Sequence, residues 1–301
     1  MMPKHNLSPT YPQRSAGRDI VGVQSLVQRG AGYALKLLVY GLLVVFAIAT
    51  LLPLLWMIST AFKSNELVLR MPPALIPAVP TVQNFVSFFR QMSVWRWILN
   101  SVFVVTAITV GQVLMHSMAG YALAKLRFPG RRALFWVILA TLTIPLQVIV
   151  VPLYKMMVDL KWINTYYGLI VPALVGPSSL FLIKQFMSTL PTSLIDAARV
   201  DGCPEWRIFW KIVLPLAKPG IAVMAIFTFM GFWNSFFWPL VVTQTREMRT
   251  LTVGLTMVRY SQFDYGTLMA GSVVAAVPMF VVFLVFQKYF LRGLTIGALK
   301  G

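Results

Sequence analysis

The 301-residue sequence is poor in the side chains that carry most chemistry: one cysteine (Cys203), two histidines (His5 and His116), and eight acids against 26 Lys and Arg. A single cysteine excludes an internal disulfide framework. There is no GxxxxGK[ST] phosphate loop, no HExxH and no GxSxG, so the chain carries no known means of hydrolysing nucleotide and no evident catalytic pair. The apolar runs also lack acids, which disfavours a proton- or sodium-coupled carrier, because such carriers usually keep intramembrane carboxylates. The net charge of +18 does not point to nucleic acid, because the cations sit between apolar runs and form no continuous stripe. No metal ligand set is visible.

What is abundant is hydrocarbon. Hydrophobic residues make up 58% of the chain and charged ones 11%, too apolar a mixture for a soluble surface. The expected fold is an all-α polytopic membrane protein with six transmembrane helices, at about 33–62, 98–124, 133–157, 166–187, 219–242 and 268–290. Each is close to the ~20 apolar residues that cross a hydrocarbon core of roughly 30 Å. The transmembrane domain is thus 33–290, between a polar, disordered tail at 1–32 and a short tail at 291–301. Pro145 and Pro152 are expected to kink span three. Trp95 and Trp97 read as anchors at a membrane–water boundary. Fifteen loop cations fall on the side of the two termini and eight on the other, which places both termini and the loop before span five in the cytoplasm.

Within the spans, His116 reads as a buried structural residue. Gly231, Trp233, Asn234, Ser235 and Pro239 interrupt span five with polarity that lipid would not satisfy. Sugars favour aromatic faces with amides, so Trp233, Asn234, Phe237 and Trp238 are a candidate substrate path; helix–helix glue explains the same residues equally well.

Ser193–Pro215 is the most designed stretch outside the spans. Ser193 with Asp196 has capping-box spacing, Gly202 is a natural helix stop, and Pro204 with Glu205 suits a restart. Trp206, Phe209, Trp210 and Val213 follow at helical spacing, and Pro215 ends the element. By itself a helix–glycine–helix can be a mere connector.

Residue by residue, however, Asp196, Ala197, Ala198, Gly202, Ile212, Leu214 and Pro215 resemble the cytoplasmic EAA loop of ABC-importer permeases, with aspartate where that family most often has glutamate. Asn100-Ser101, Tyr121-Ala122-Leu123, Phe128-Pro129-Gly130, Ile144-Pro145, Asn164-Thr165-Tyr166, Trp238-Pro239-Leu240 and the ending Arg292-Gly293-Leu294-Thr295 are similar to its carbohydrate-uptake branch, the maltose-type permeases. The resemblance implies a binding-protein-dependent component of the bacterial cytoplasmic (inner) membrane, half of a sugar, oligosaccharide or polyol pathway worked by alternating access. The implied partners are a second permease chain, two ATPase subunits and an extracytoplasmic sugar-binding protein. ATP and Mg would be held by the ATPases, and no cofactor by this chain. Asp196, Arg199, Asp201, Glu205 and Arg207 around Ala197, Ala198 and Gly202 would then couple to the ATPase. The loop Thr243–Thr267, with Tyr260, Phe263 and Asp264, would meet the binding protein, although an ordinary solvated loop fits it as well. A secondary transporter or channel not driven by ATP is the other class considered; it leaves the elbow unexplained.

Overall fold

The computed structural model describes the backbone of residues 16–68, 74–91, 93–261 and 264–298, and the side chains in those ranges except at 16–34, 65, 91, 259–261 and 288–298. The regular elements among them are all helical. They run α1 (Ala16–Ala61), α2 (Asn65–Val68), α3 (Gln83–Gln91), α4 (Val94–Lys125), α5 (Arg131–Ala140), α6 (Leu146–Asp159), α7 (Tyr166–Ile170) and α8 (Pro177–Ser188). There follow α9 (Thr192–Val200), α10 (Glu205–Ile208), a π-helical turn (Phe209–Val213), α11 (Leu214–Leu216), α12 (Lys218–Trp233), α13 (Phe237–Val242), α14 (Leu251–Ser261) and α15 (Tyr265–Ala298).

The chain divides into two units, 1–56 and 57–301. The first holds most of α1, which starts at Ala16, inside the segment expected to be an irregular tail. Ile20, Val21, Val23, Leu26 and Val27 recur at helical spacing there and carry the helix upstream of its apolar run. Residues 1–15 lie outside the described part.

The second unit is built around α4, whose 32 residues make a rod of about 48 Å. Its N-terminal end packs Trp97 and Val105 against Phe88, Trp233 and Leu251. Its middle packs Val104 and Ile108 against Met157, Leu169 and Trp238. Its far end packs Tyr121 and Leu123 against Ile183, Ile195, Ile208 and Val213. Close approach to α8 is possible because residue 120 is glycine: a β-carbon there would lie 2.9 Å from Ile183 Cγ2 and 3.3 Å from the Lys184 amide nitrogen. All three cores share α4.

Among the described residues three helices are long and apolar enough to cross a membrane: Leu35–Ala61, Val94–Lys125 and Tyr265–Gln287. Three more crossings exist if each bent pair counts as one: Arg131–Thr143 with Leu146–Asp159 at 99°, Tyr166–Leu174 with Pro177–Ser188 at 41°, and Glu205–Leu216 with Lys218–Trp233 at 76°. Proline accounts for each break. Ile144, before Pro145, is extended; Gly176, before Pro177, lies outside the helical region at φ −130° and ψ 89°; and Pro219, in the first turn of α12, has no amide to give the Pro215 carbonyl. Span three is therefore broken, not kinked, at Pro145, while Pro152 sits inside α6 without a break.

Span five differs most from expectation. The segment 219–242 is not one helix: α12 stops at Trp233 and α13 begins at Phe237. Asn234 caps α12 by folding its Nδ2 back onto the Met230 carbonyl at 2.9 Å, and Pro239 cannot donate to residue 235 in a continuous helix. Beyond the last expected span, α15 stays helical to Ala298, well into the expected tail.

Candidate functional site

The elbow between α8 and α12 starts at Thr192 with Pro191 as its N-cap, and no side chain caps it. The expected Ser193–Asp196 capping box is absent. Asp196 instead accepts from Arg199 Nη1 at 3.0 Å, a stronger partner one turn away. The stop is as expected. Gly202 has φ +75°, its amide donates to the Arg199 carbonyl at 3.0 Å, and the Cys203 amide donates to Ala198 O at 2.9 Å, a Schellman closure. Nothing lies within 4 Å of the β-carbon that Gly202 lacks, so the turn requires glycine for its dihedral and not for space. Pro215 does not end the element. Helix continues through it to Leu216, and the π-helical turn just before it widens the backbone where the proline ring removes a donor and crowds a carbonyl.

Burial splits the motif in two. Ala198, at 6% exposure, joins Ile195, Ile208, Phe209 and Val213 in the core against α4 and α8, with Ile212 and Leu214 packed beside them. This corrects the expected small-residue face: Ala197 and Gly202 are open and Ala198 is not. Asp196, Asp201, Glu205, Arg207 and Pro215 are exposed, as are Val200 at 87% and Trp206 at 63%.

Besides this packing, two polar side chains of α4 hold the elbow, and neither was foreseen. Tyr121, itself 4% exposed, donates its hydroxyl to Glu205 Oε2 at 2.5 Å. Arg199 Nε donates to the other oxygen, Oε1, at 2.6 Å. One turn further along α4, Lys125 Nζ donates to the Leu190 carbonyl at 2.6 Å and to Thr192 Oγ1 at 3.2 Å. The signal in the sequence is the i, i+4 spacing of Tyr121 and Lys125, which puts both polar ends on one face of the helix.

The opposite end of α4 is pinned as well. Asn100, almost fully buried, donates to the carbonyls of Glu247 at 2.7 Å and Arg249 at 3.0 Å and accepts from the Tyr166 hydroxyl at 2.7 Å. Ser101 Oγ accepts from the Leu251 amide at 2.8 Å. Asn164, at φ +59°, accepts from the amides of Gln244 and Thr245, both at 3.0 Å. Trp97 is 1% exposed and its Nε1 donates to Arg246 O at 2.7 Å, so it is a core pin and not the expected boundary anchor; Trp95 is 64% exposed. The elbow and the 243–250 loop thus attach to α4 twenty-one residues apart, from Asn100 to Tyr121, a rise of about 32 Å.

Residues 116–296 match the family described as binding-protein-dependent transport system inner membrane component. The chain belongs to that family. Similar proteins include the arabinooligosaccharides transport system permease protein AraQ of Halalkalibacterium halodurans, 41% identical over 259 residues, 85% of this chain and 93% of that one. The diacetylchitobiose uptake system permease protein NgcG of Streptomyces coelicolor is 35% identical over 254 residues, 83% and 84% of the two chains. The sn-glycerol-3-phosphate transport system permease protein UgpE of Brucella abortus is 32% identical over 263 residues, 84% and 93%. Among solved structures, a chain of a bacterial ABC transporter involved in the import of the acidic polysaccharide alginate superposes with TM-score 0.73 at 23% identity, over 93% of this chain and 100% of that one.

In this permease the four candidate path residues do not converge. Trp233 and Trp238 are buried in different cores, their indoles donating to Ala275 O at 2.9 Å and Gly168 O at 3.0 Å. Asn234 and Phe237 are exposed, at the gap between α12 and α13. Of the candidate binding-protein contacts, Phe263 and the side chain of Tyr260 lie outside the described residues. Asp264 caps α15 through the Thr267 amide at 2.8 Å and the Thr267 hydroxyl at 2.5 Å. His116 is structural, its Nε2 accepting from the Gly176 amide at 3.3 Å.

The elbow's electrostatics follow from its geometry. The Arg199 guanidinium holds the Glu205 carboxyl below its ordinary 4.5, and the Tyr121 hydroxyl acts in the same direction. A depressed acid contributes stability above its unfolded pKa and loses it as pH falls through the folded one. Because Arg199 and Glu205 are both more than a third exposed at the side chain, the contribution is small. Glu205→Gln is therefore expected to lower the melting temperature of the solubilised permease by the same modest amount at pH 6 and pH 8. The difference should shrink once the pH passes below the carboxylate range, as checked by thermal unfolding across that range.

Proposed function

We propose that this permease is one half of the translocation pathway of an ATP-driven importer for a sugar, oligosaccharide or polyol delivered by an extracytoplasmic binding protein. What carries the reading is family membership over residues 116–296 together with relatives named for arabinooligosaccharides and diacetylchitobiose over more than four-fifths of the chain. The elbow supports it physically. Ala197, Asp201, Gly202 and Arg207 form an open face of small and charged residues, which another protein can approach closely and pair with. That protein is the ATPase, one of two subunits that bind ATP with Mg, while a second permease chain completes the pathway. The termini and elbow lie in the cytoplasm, the 243–267 loop faces the binding protein, and the chain performs no hydrolysis itself.

Closure of the ATPase pair on ATP would move the elbow as a body, since its inner face is packed against α4 and α8. Reconstitution of the permease with its partner chain, ATPases and binding protein is expected to give uptake that needs ATP and the loaded binding protein and that vanadate stops. Uptake that continues under vanadate and follows an ion gradient would replace this reading with a secondary transporter.

A further inference from the structure

We propose that the Tyr121 hydroxyl is a positioning contact that sets the angle of the elbow on α4, and that Glu205 and Arg199 belong to this internal joint and not to the docking face. The inference rests on the coupling role proposed above and assigns residues within it.

Three observations converge. First, the elbow's inner face is held by Ile195, Ile208, Phe209 and Val213. Hydrophobic contact of this kind is strong but non-directional, so it holds the elbow against α4 without by itself specifying the angle. Second, α10 is the first turn of an arm that stays helical through the π-helical turn to Leu216, so a contact at its start steers the whole arm. Its first residue is Glu205, and the carboxylate of Glu205 is used at both oxygens: Oε2 by Tyr121 from α4, Oε1 by Arg199 from α9. Both arms of the elbow and the central rod therefore meet at one carboxylate, through charge-assisted hydrogen bonds that are directional. Third, the start of α9 is separately clamped by Lys125, one turn along the same face of α4. Lys125 fixes where the elbow begins. Tyr121 fixes how its second arm points.

On this assignment the charges of the expected coupling set left for a partner are Asp201 and Arg207, with the second oxygen of Asp196; Lys211 on the π-helical turn is exposed beside them. Glu205 is half-exposed, yet it has no oxygen lacking an internal partner. Tyr121 itself touches no substrate and no partner surface; it acts through Glu205.

The test is Tyr121→Phe in the assembled transporter, which removes one oxygen and keeps the ring that packs 5.6 Å from Phe209. Two readouts are taken: ATP hydrolysed per substrate imported, and the distance between spin labels at Met118→Cys on α4 and Lys211→Cys on the π-helical turn, in a Cys203→Ser background. Both labelled positions are exposed. The expected result is full assembly with the ATPases, a several-fold rise in ATP spent per substrate, and a broadened distance. Glu205→Gln should give the same direction of change, and the double variant little more than the worse single one. A wild-type ratio or an unbroadened distance in Tyr121→Phe overturns the proposal. The spin-label distance reads the joint without reference to docking, whereas the docking reading stands or falls on Gly202→Asp, so the two failures are distinguishable.

Discussion

Gly202→Asp is expected to leave the permease folded in the membrane while stripping it of ATPase subunits and cutting uptake by more than about tenfold, a loss of at least ~1.4 kcal/mol of coupling. Both halves of this result follow from the turn. Residue 202 sits at φ +75°, where aspartate is among the better tolerated side chains, and no atom lies within 4 Å of the added β-carbon. The backbone cost is therefore about 1–2 kcal/mol, and the two Schellman hydrogen bonds survive. The damage lies outside the chain. A new carboxylate beside Asp201 adds bulk and a like charge to the face that a partner must approach closely. Gly202→Ala carries at least as much dihedral strain without the charge and should fall between the wild type and Gly202→Asp. Membrane abundance, ATPase co-purification and uptake measure the three steps separately; full uptake with bound ATPases would sink the docking idea.

The second large effect is at the other end of α4. Asn100→Leu is expected to lower the melting temperature markedly and to abolish stimulation by the binding protein, while the ATPases still co-purify. Leucine has nearly the same volume, so packing is preserved, but the Glu247 and Arg249 carbonyls and the Tyr166 hydroxyl all lose their partner. Each buried group left unsatisfied costs about 1–3 kcal/mol, with incomplete additivity. The 246–249 segment should come free, so limited trypsin digestion should cut after Arg246 or Arg249 faster than in the wild type. The elbow, about 32 Å away along the rod, should be untouched. Wild-type melting with an unchanged tryptic pattern would show that the pin holds nothing.

The parts of the fold legible in the sequence are those governed by a single local cause. Apolar runs over α1, α4 and α15 announce helices because nothing else satisfies their backbones in lipid. Gly202 announces a turn because only a residue without a β-carbon adopts its dihedral freely. What was illegible depended on partners distant in the chain. Whether Ala197 or Ala198 faces outward is decided by where α4 and α8 pack, and no spacing rule distinguishes two adjacent alanines. Trp97 and Trp95 look alike as boundary aromatics, yet one is fixed by the Arg246 carbonyl, 149 residues away. Trp233 and Trp238 suggested a sugar platform as a pair, and the break at 234–236 sends them into separate cores. In each case the residue type was informative about chemistry and silent about direction.

One feature of α4 bears on the bilayer itself. Asn100 and Tyr121 fix the 243–250 loop and the elbow to a helix with no proline or break between them, and their separation of about 32 Å is close to the thickness of a hydrocarbon core. The other jointed crossings can shorten or lengthen by bending; this one cannot. In a thicker membrane the molecule must answer the mismatch by tilting α4 or thinning the lipid around it, at fractions of a kcal/mol per Å. The permease thereby carries its own ruler, and the membrane's thickness becomes a load on the same rod that joins its two ends.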